Sequence, residues 1–394
     1  MLSVEAALAH LLGAARPLAE TATETLAADE ALGRILARPV VSQVDVPPLD
    51  NAAMDGYALR LADWSPAVPL PVSQRIPAGS LGTPLAARTA ARIFTGAPIP
   101  PGADTVVMQE DTEVVGEAVL IPRSPEAGSH IRLAGEDIRA GQTVLAPGTR
   151  LGPGQLGVAA SAGATALTVY RRLKVAVFFT GDELVMPGQP LPPGRIYNSN
   201  RATLRALLAR LGVEVVDLGQ VPDRLDATVA VLERAAREAD VVITTGGVSV
   251  GEEDHVKAAV ERLGRLDMWK VAMKPGKPLA YGRVGNTDFV GLPGNPVSAF
   301  VVFTLFVAPF LLARMGAAPA DPVAFTVPAA FTWPKPGKRR EFLRARLEGG
   351  QAVIYPSQSS GVLASVAWAQ GLVDVPVGAS VAPGDPVRFM PLGE

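Results

Sequence analysis

Hydrophobic and polar positions change texture several times along this chain of 394 residues. From Leu173 onward, short apolar runs recur at Lys174–Phe179, Val213–Leu218, Asp240–Ile243, Leu266–Ala272 and Asp288–Leu292. Between them, apolar residues return at helical spacing over Arg201–Leu211, Asp226–Glu238 and His255–Leu263. Gly212 and Gly264 follow the first and third of these, where a glycine can close a helix. Alternation of this kind predicts βαβ units and a mainly parallel sheet with helices on both faces.

The flanking segments read differently. Ser3 can cap a helix over Val4–Leu12, and a second apolar-periodic run, Asp29–Ala37, predicts another helix stopped by Pro39. From about residue 42 short β-type runs are broken by proline and glycine: Ala91–Phe94, Thr105–Met108 and Glu117–Ile121. A short helix (Gly154–Ala162) and a strand (Ala166–Tyr170) come next. Beyond Pro319, Glu341–Leu347 and Gln351–Tyr355 flank Gly349-Gly350, which signals a hairpin, and a short helix follows around Gly361–Ala369.

The expected fold is therefore multidomain α/β. A central doubly wound, mainly parallel sheet domain covers 173–319, and a β-rich domain over 42–140 is inserted into an N-terminal helical domain made of 1–41 and 141–172. A C-terminal β domain covers 320–394. The apolar run Val297–Leu312 contains Pro309 and is shorter than the roughly 20 residues a bilayer core requires, so a buried core helix is expected there and no membrane span.

Composition narrows the function. With 36 Lys+Arg against 38 Asp+Glu and no basic run, a nucleic-acid surface is not expected. The absence of cysteine excludes disulfides, thiolate catalysis and iron–sulfur ligation, and suits a reducing compartment. The 3 histidines are scattered. Met1-Leu-Ser-Val-Glu-Ala lacks a basic region and a cleavage-like site, so no signal peptide and a cytoplasmic location are expected.

Candidate chemistry gathers where successive strands end, the edge at which open parallel sheets bind ligands. The third strand runs into Thr244-Thr-Gly-Gly-Val-Ser-Val-Gly251, whose Gly246, Gly247 and Gly251 allow close approach of a ligand beside Ser249. A strand, a glycine loop and a helix start are the parts that collect backbone N–H groups around phosphate. Glu252, Glu253 and Asp254 follow at once, which makes sense if a divalent cation bridges carboxylate and phosphate. The other strands lead into Thr180-Gly-Asp-Glu183, Gly219-Gln-Val-Pro-Asp223, Lys274-Pro-Gly-Lys-Pro278 and Gly291-Leu-Pro-Gly-Asn-Pro296, in which Asn295 can cap and Pro296 can take the first helical position. Each loop alone is ordinary turn chemistry. Together they describe a site for an anionic or phosphorylated ligand with a metal. Lys274 and Lys277 would act as point charges. Glu183, Asp223 and Asp254 are the hard oxygen donors, of which Mg²⁺ would use one or two. No Rossmann or Walker glycine motif is present.

At these residues the chain resembles the molybdopterin molybdenumtransferase family, MoeA-type proteins that include the E-domain of gephyrin and its plant counterpart. Asp50-Asn-Ala-Ala-Met-Asp-Gly-Tyr-Ala58, Arg92-Ile-Phe-Thr-Gly-Ala-Pro-Ile-Pro100, Gly135-Glu-Asp-Ile138, Thr180-Gly-Asp-Glu-Leu184 and Tyr197-Asn-Ser-Asn200 fit the family. So do Gly246–Gly251, Lys274–Pro278 and Leu292-Pro-Gly-Asn-Pro-Val-Ser298. The resemblance implies an enzyme of molybdenum cofactor biosynthesis, a Mg²⁺-dependent transferase. It binds adenylylated molybdopterin, cleaves the phosphoanhydride to AMP and inserts molybdate into the dithiolene. It implies a homodimer in which the Asp50–Gly56 stretch reaches the partner's site, and it allows a complex with the molybdopterin-adenylating enzyme.

The roles it carries over are Asp55, Thr95 and Asp137 from the β insertion, and Glu183, Asp223, Asp254 and Lys274 from the sheet edge. Lys277, Pro293 and Pro296 shape the pocket. Asp254 is the principal metal ligand and Glu183 the second, with Asp223 as its competitor. Arg344 and Ser360 resemble the family's anion contacts, and Arg340 competes with Arg344 for that role. Ala52 replaces a usual serine and His255 a common tyrosine. Three other readings are a non-catalytic scaffold of the gephyrin E-domain type, a pterin-adenylating enzyme, which would be a shorter unit without the β insertion and C-terminal β domain, and a nucleotide hydrolase of other purpose. Choice of molybdenum or tungsten is not legible in the residues.

Overall fold

In the computed structural model, which describes residues 1–247, 255–335 and 337–393, the chain divides into two units. Met1–Glu24, Gly33–Ala37 and Val169–Glu394 form the first, and Thr25–Leu32 with Arg38–Thr168 the second.

The first unit is built on a six-stranded sheet. Its elements run β1 (Lys174–Thr180), α1 (Ser199–Leu211), β2 (Glu214–Val221), α2 (Leu225–Glu238), β3 (Val241–Thr245), α3 (His255–Leu263), β4 (Gly264–Lys270), β5 (Pro278–Val284) and β6 (Thr287–Leu292). In space the order is β2-β1-β3-β6-β5-β4. The first four of these are parallel, and β5 runs antiparallel to both of its neighbours. β4 therefore points the same way as the parallel strands, and its carboxyl end joins theirs at one edge.

The apolar runs are continuous because both faces are covered. Val175, Val177 and Phe179 pack with Leu204 and Leu208 of α1, whereas Ala176 and Phe178 pack with Leu232 of α2 and Val256 and Val260 of α3. α1 ends at Gly212 in the left-handed conformation, φ 80°. β5 is the strand that sequence reading omits. Pro278 takes its first position, where a missing N–H is tolerated. Gly282 lies against β4 so closely that a Cβ would sit 2.3 Å from the Arg265 carbonyl oxygen.

After β6 the apolar run forms α4 (Pro296–Val302), a π-helical turn at Phe303–Val307 and α5 (Ala308–Arg314). Among the described residues this 19-residue helix is the one long and apolar enough to cross a membrane. It packs into the sheet core instead, through Val301, Phe306 and Phe310 beside Leu11 and Phe179. Its terminal Arg314 pairs at 2.8 Å with the fully buried Asp288. The wide turn directly precedes Pro309, whose ring and missing N–H a regular α-turn would not accept.

The expected helix over Asp29–Ala37 does not form. Ala28–Glu30 is a single 3₁₀ turn, Gly33 sits at φ 75°, and Ile35 and Leu36 are both buried, at 1% and 0% exposure. Two adjacent buried side chains suit extended backbone, and Leu36 forms a bridge with Val169. Ser3 does cap the N-terminal helix Val4–Ala14, accepting from the Ala6 N–H at 3.1 Å.

The C-terminal elements are β7 (Phe325–Pro328), β8 (Arg340–Glu348), β9 (Gln351–Ile354), α6 (Ala364–Trp368), β10 (Gly371–Val375) and β11 (Pro386–Pro391). β8 and β9 pair as a hairpin through Glu348 and Gln351, with Gly349 and Gly350 at φ 56° and 80°. Met273–Lys274, just past β4, adds to this sheet in parallel against Arg340 and Glu341. That pairing fastens the lysine loop to the C-terminal strands.

The second unit is a β structure plus the helix Pro153–Ser161. Its main sheet runs Thr105–Met108, Gly56–Leu59, Ala90–Ile93, Leu70–Ile76, Ala118–Leu120 and Glu113–Val115 in spatial order. Gly56 is obligatory there, since a Cβ would sit 1.9 Å from the Val107 carbonyl oxygen.

Candidate functional site

Three loops at the carboxyl edge of the first unit's sheet meet the C-terminal strands around a cavity of about 570 Å³, within the usual range for small-molecule sites. The first loop leaves β3 at Gly246 and Gly247, φ 86° and 63°. A Cβ on Gly247 would lie 2.5 Å from Val256 Cγ2 of α3, and one on Gly246 3.2 Å from the Thr180 carbonyl. The second loop leaves β6, and its Gly294 lies beside Gly246, whose N–H donates to Leu292 at 3.1 Å. Asn295 opens α4 through its carbonyl, which accepts from Ala299 at 2.9 Å; its side chain makes no capping bond. The third loop carries the lysines. Gly276, φ 95°, packs so tightly on α4 that a Cβ would sit 2.4 Å from Val302 Cγ2. Pro275 and Gly276 are buried while Lys277 faces solvent.

The charged side chains among the described lining residues of this cavity are all cationic. Lys274, Lys277 and Arg339 line it together with Ser298, Gln358, Ser359 and Ser360, and no carboxylate is among the described lining residues. Lys274 Nζ pairs with Glu341 Oε2 at 3.1 Å and lies 5.7 Å from the Trp333 ring centre. Arg339 donates to the Met273 carbonyl at 3.2 Å, which leaves most of its fork for another acceptor. The Ser360 carbonyl accepts from the Val297 N–H at 3.1 Å and so ties the C-terminal wall to the start of α4.

Of the sequence-predicted residues, Gly246, Gly247, Lys274, Lys277, Pro293 and Ser360 share this cavity. Pro296 stands beside it at the first turn of α4. Glu183 and Asp223 are exposed at the ends of β1 and β2 and do not line it. Glu183 folds back over Gly181, where a Cβ would be 2.6 Å from its Oε2. Gln220 ties the two strand ends by donating to the Gly181 and Leu184 carbonyls, each at 3.1 Å. Ser249, Gly251 and Asp254 lie outside the described residues.

Neither arginine candidate lines the cavity. Arg340 is spent on Asp374, with contacts of 2.6 and 2.5 Å, and on Glu5. Arg344 is 1% exposed and lies behind the wall formed by Gln358–Ser360, bonded to protein acceptors and not lining the cavity. Arg339, adjacent to Arg340 in sequence, is the arginine that does among the described residues. Asn200 also escaped notice as an individual residue. Its amide donates to the Gly294 carbonyl at 2.7 Å, and its Oδ1 is buried without a partner.

In the second unit Asp55 and Thr95 are brought together. Asp55 Oδ1 accepts from the Thr95 N–H at 2.8 Å and from its hydroxyl at 2.7 Å. These bonds, the backbone one foremost, hold the Asp55 carboxyl below its ordinary value. Arg92, from the same strand end as Thr95, donates to the Gly56 carbonyl at 2.8 Å and stacks on Phe94 at 4.4 Å. Asp137 is exposed beside the bridge between Val46 and Ile138, with its own N–H on the Val46 carbonyl at 3.1 Å.

Among the described residues no three acidic or histidine side chains group into a cage. Glu183 and Asp223 are exposed hard donors that no described ion pair claims. Oxygen donors of this kind are the type a Mg²⁺ takes, one or two at a time, with phosphate oxygens and water in its other positions.

Three family models match in order: the MoeA N-terminal region (domain I and II) over residues 2–163, a probable molybdopterin binding domain over 176–313, and the MoeA C-terminal region (domain IV) over 326–392. The chain is 44% identical over 298 residues to the molybdopterin molybdenumtransferase of Haemophilus influenzae, which covers 75% of this chain and 74% of that one. It is 41% identical over 386 residues, 93% of each chain, to molybdopterin molybdenumtransferase 2 of Mycobacterium tuberculosis. Among solved structures, a molybdopterin biosynthesis MoeA protein from Pyrococcus horikoshii OT3 superposes with a TM-score of 0.85 at 29% identity, over 99% of this chain and 100% of that one. This chain belongs to the MoeA family of molybdopterin molybdenumtransferases.

Proposed function

We propose that this chain inserts molybdenum into adenylylated molybdopterin with release of AMP, a step of molybdenum cofactor biosynthesis. The observation that carries the reading is the cavity lined by Lys274, Lys277 and Arg339 with no carboxylate among its described walls. A tetrahedral oxyanion and a phosphate group both need fixed positive charge, and rigidly held cations supply it without reorganisation. Lys277 stands exposed at the rim and Arg339 offers a planar fork, so the two capture and orient molybdate. Lys274, anchored by Glu341 and Trp333, stabilises charge on the phosphate as AMP leaves. Gly246 and Gly247 let the ligand approach the main chain without obstruction.

Mg²⁺ is proposed as the cofactor, which Glu183 and Asp254 would hold and which would supply neutralisation of phosphate charge. The chain works as a homodimer in a reducing cytoplasm, a setting its lack of cysteine supports. A complex with the adenylating enzyme would pass the activated pterin directly.

The test is to incubate the purified chain with adenylylated molybdopterin, molybdate and Mg²⁺ and follow AMP release and cofactor formation together. AMP release that ignores molybdate, or no cofactor formed, overturns the assignment. Activity that survives chelation of Mg²⁺, or an Asp254→Ala chain that releases AMP normally, overturns the metal assignment alone. A monomer mass by light scattering at micromolar concentration removes an intersubunit role for Asp55.

A further inference from the structure

A separate trough lies on the face of the central sheet that carries the N-terminal helix, and it shares no lining residue with the cavity described above. Strand alternation puts Arg265, Asp267 and Trp269 of β4 on this face. Across the register, β5 sets Arg283 opposite Arg265 and Tyr281 opposite Asp267. The helix Val4–Ala14 presents only Ala6, Ala9 and Gly13 beside His10 here, and side chains that short leave the trough open. It consists of two adjoining hollows, of about 210 and about 550 Å³, which share Arg265, Asp267 and Tyr281.

The smaller hollow is cationic. Arg16, Arg265 and Arg283 line it against a single carboxylate, Asp267, which Arg265 contacts at 2.7 Å. The support beneath deepens the imbalance. One oxygen of the fully buried Asp288 accepts from the Tyr281 hydroxyl at 2.8 Å and from Arg283 Nε at 3.0 Å, while the other pairs with Arg314 at 2.8 Å. In this cluster Arg16, Arg265, Arg283 and Arg314 therefore answer only Asp267 and Asp288, four positive charges against two negative, in a chain of net charge -2. Arg283 is bonded through Nε alone, which leaves its terminal nitrogens for another acceptor. The larger hollow is aromatic. His10 and Trp269 line it with ring centres 5.9 Å apart, and Trp269 lies 6.0 Å from Tyr281 with the planes 16° from parallel. Tyr281 meets Phe310 of α5 edge-on at 5.7 Å, which fixes this shelf of rings to the core.

We propose that this trough is a second ligand site, for a small organic phosphate that carries a flat ring, of the nucleoside monophosphate class. The phosphate takes the guanidiniums of Arg16, Arg265 and Arg283, and the ring lies on the Trp269–His10 shelf. Arginine forks match phosphate oxygens in geometry as well as charge, and a phosphate monoester near its second ionisation answers an excess of two. Every nucleobase has a face that stacks on an aromatic side chain. Inorganic phosphate would leave the shelf bare, and an uncharged ring would leave the guanidiniums unanswered, so the two halves bind best when joined.

The experiment is equilibrium dialysis of the full chain against radiolabelled AMP and GMP, with guanosine and inorganic phosphate as the separate halves. It follows binding alone and so stands apart from molybdenum insertion. Wild type should bind at least one nucleotide, and each half should bind at least about tenfold more weakly. Arg16 is exposed, so Arg16→Glu should fold normally and raise the nucleotide Kd by about tenfold or more, the effect of losing a charged hydrogen bond. Trp269→Leu should raise it by about tenfold through lost stacking. Ala9→Trp fills the trough from the helix side without touching a charge and should abolish binding; it decides the matter if Trp269→Leu does not fold. Lys274→Met, in the other cavity, should leave the nucleotide Kd unchanged. A folded wild-type chain that binds neither nucleotide overturns the proposal. So does binding that Lys274→Met abolishes and Arg16→Glu spares, since the nucleotide then sits in the other cavity. Inorganic phosphate bound as tightly as the nucleotides, with no response to Trp269→Leu or Ala9→Trp, overturns it as well.

Discussion

The pair Lys274–Glu341 places a carboxylate beside the cavity proposed to take molybdate, and that makes it the most demanding test of the electrostatics. Nζ and Oε2 are 3.1 Å apart, with the Glu341 side chain 9% and the Lys274 side chain 45% exposed. Glu341 is wedged in place: a Cβ on Gly337 would sit 2.5 Å from its Oε1. Lys274→Met therefore does two things at once. It withdraws a positive charge from the cavity, and it unmasks a buried negative one. Two unit charges about 6 Å apart at an effective dielectric of about 20 interact by roughly 3 kcal/mol. Solvent screening at a half-exposed lysine cuts this to roughly 1–2 kcal/mol.

The two losses together then weaken molybdate binding by about 100-fold in Lys274→Met. Adding Glu341→Gln removes the unmasked repulsion, so the double variant should recover to within about tenfold of wild type. Glu341→Gln alone should bind molybdate more tightly than wild type. Equilibrium dialysis at two ionic strengths measures the cycle, and the recovery should shrink at high salt. Thermal melts of all four proteins check that they are folded. If Lys274→Met and the double variant bind molybdate equally weakly, Glu341 does not act on the anion, and the electrostatic account of the cavity is wrong.

Three further outcomes follow from single contacts. Gly247→Ala puts a methyl group 2.5 Å from Val256 Cγ2 at φ 63°. It should cost about 1–3 kcal/mol in a denaturation experiment and abolish most turnover, with partial recovery of stability on adding Val256→Ala. Thr95→Val removes one of the two hydrogen bonds to Asp55 and should move its carboxyl pKa up toward the ordinary 3.8, read by NMR titration. Because the folded pKa is depressed, whatever stability the bond contributes is present above the ordinary carboxyl value and is lost as pH falls through the folded one. The variant should lose less stability on acidification. Arg340→Ala leaves Asp374, whose side chain is 4% exposed, with the more distant Arg388 at 3.8 Å, and should destabilise the chain by at most about 3 kcal/mol in chemical denaturation. Its molybdate affinity, measured under folding conditions, should be unchanged, because Arg340 does not line the cavity.

Much of the fold was legible because burial on two faces writes itself into sequence. Lys174–Thr180 and Val241–Thr245 are apolar without alternation, as strands covered on both sides must be. Gly212 and the Gly349-Gly350 pair marked a helix end and a hairpin by the positive φ each adopts. β5 was missed since a proline and a glycine interrupt it, and both are excused by neighbours: Pro278 by its terminal position, Gly282 by the Arg265 carbonyl. The false helix at Asp29–Ala37 has the opposite cause. Its apolar residues recur at helical spacing, yet Ile35 and Leu36 are buried side by side, which only their long-range partner Val169 explains.

The site divides along the same line. Glycine loops are local objects: the residues that bend at Gly246, Gly247 and Gly276 are the residues that need to bend, so the loops could be found from sequence. Cations are not local objects. Arg339, Arg340 and Arg344 stand within one short stretch, and strand periodicity even puts Arg340 and Arg344 on the same face of β8. What separates them is who answers each charge. Asp374 takes Arg340, the carbonyls and hydroxyl of the β8 and Tyr355–Ser365 segments take Arg344, and Arg339 is left with one carbonyl bond and an open cavity. Each partner enters from a separate part of the chain. A motif can say that an arginine near this strand meets an anion, but only the closed sheet decides which one has a donor to spare.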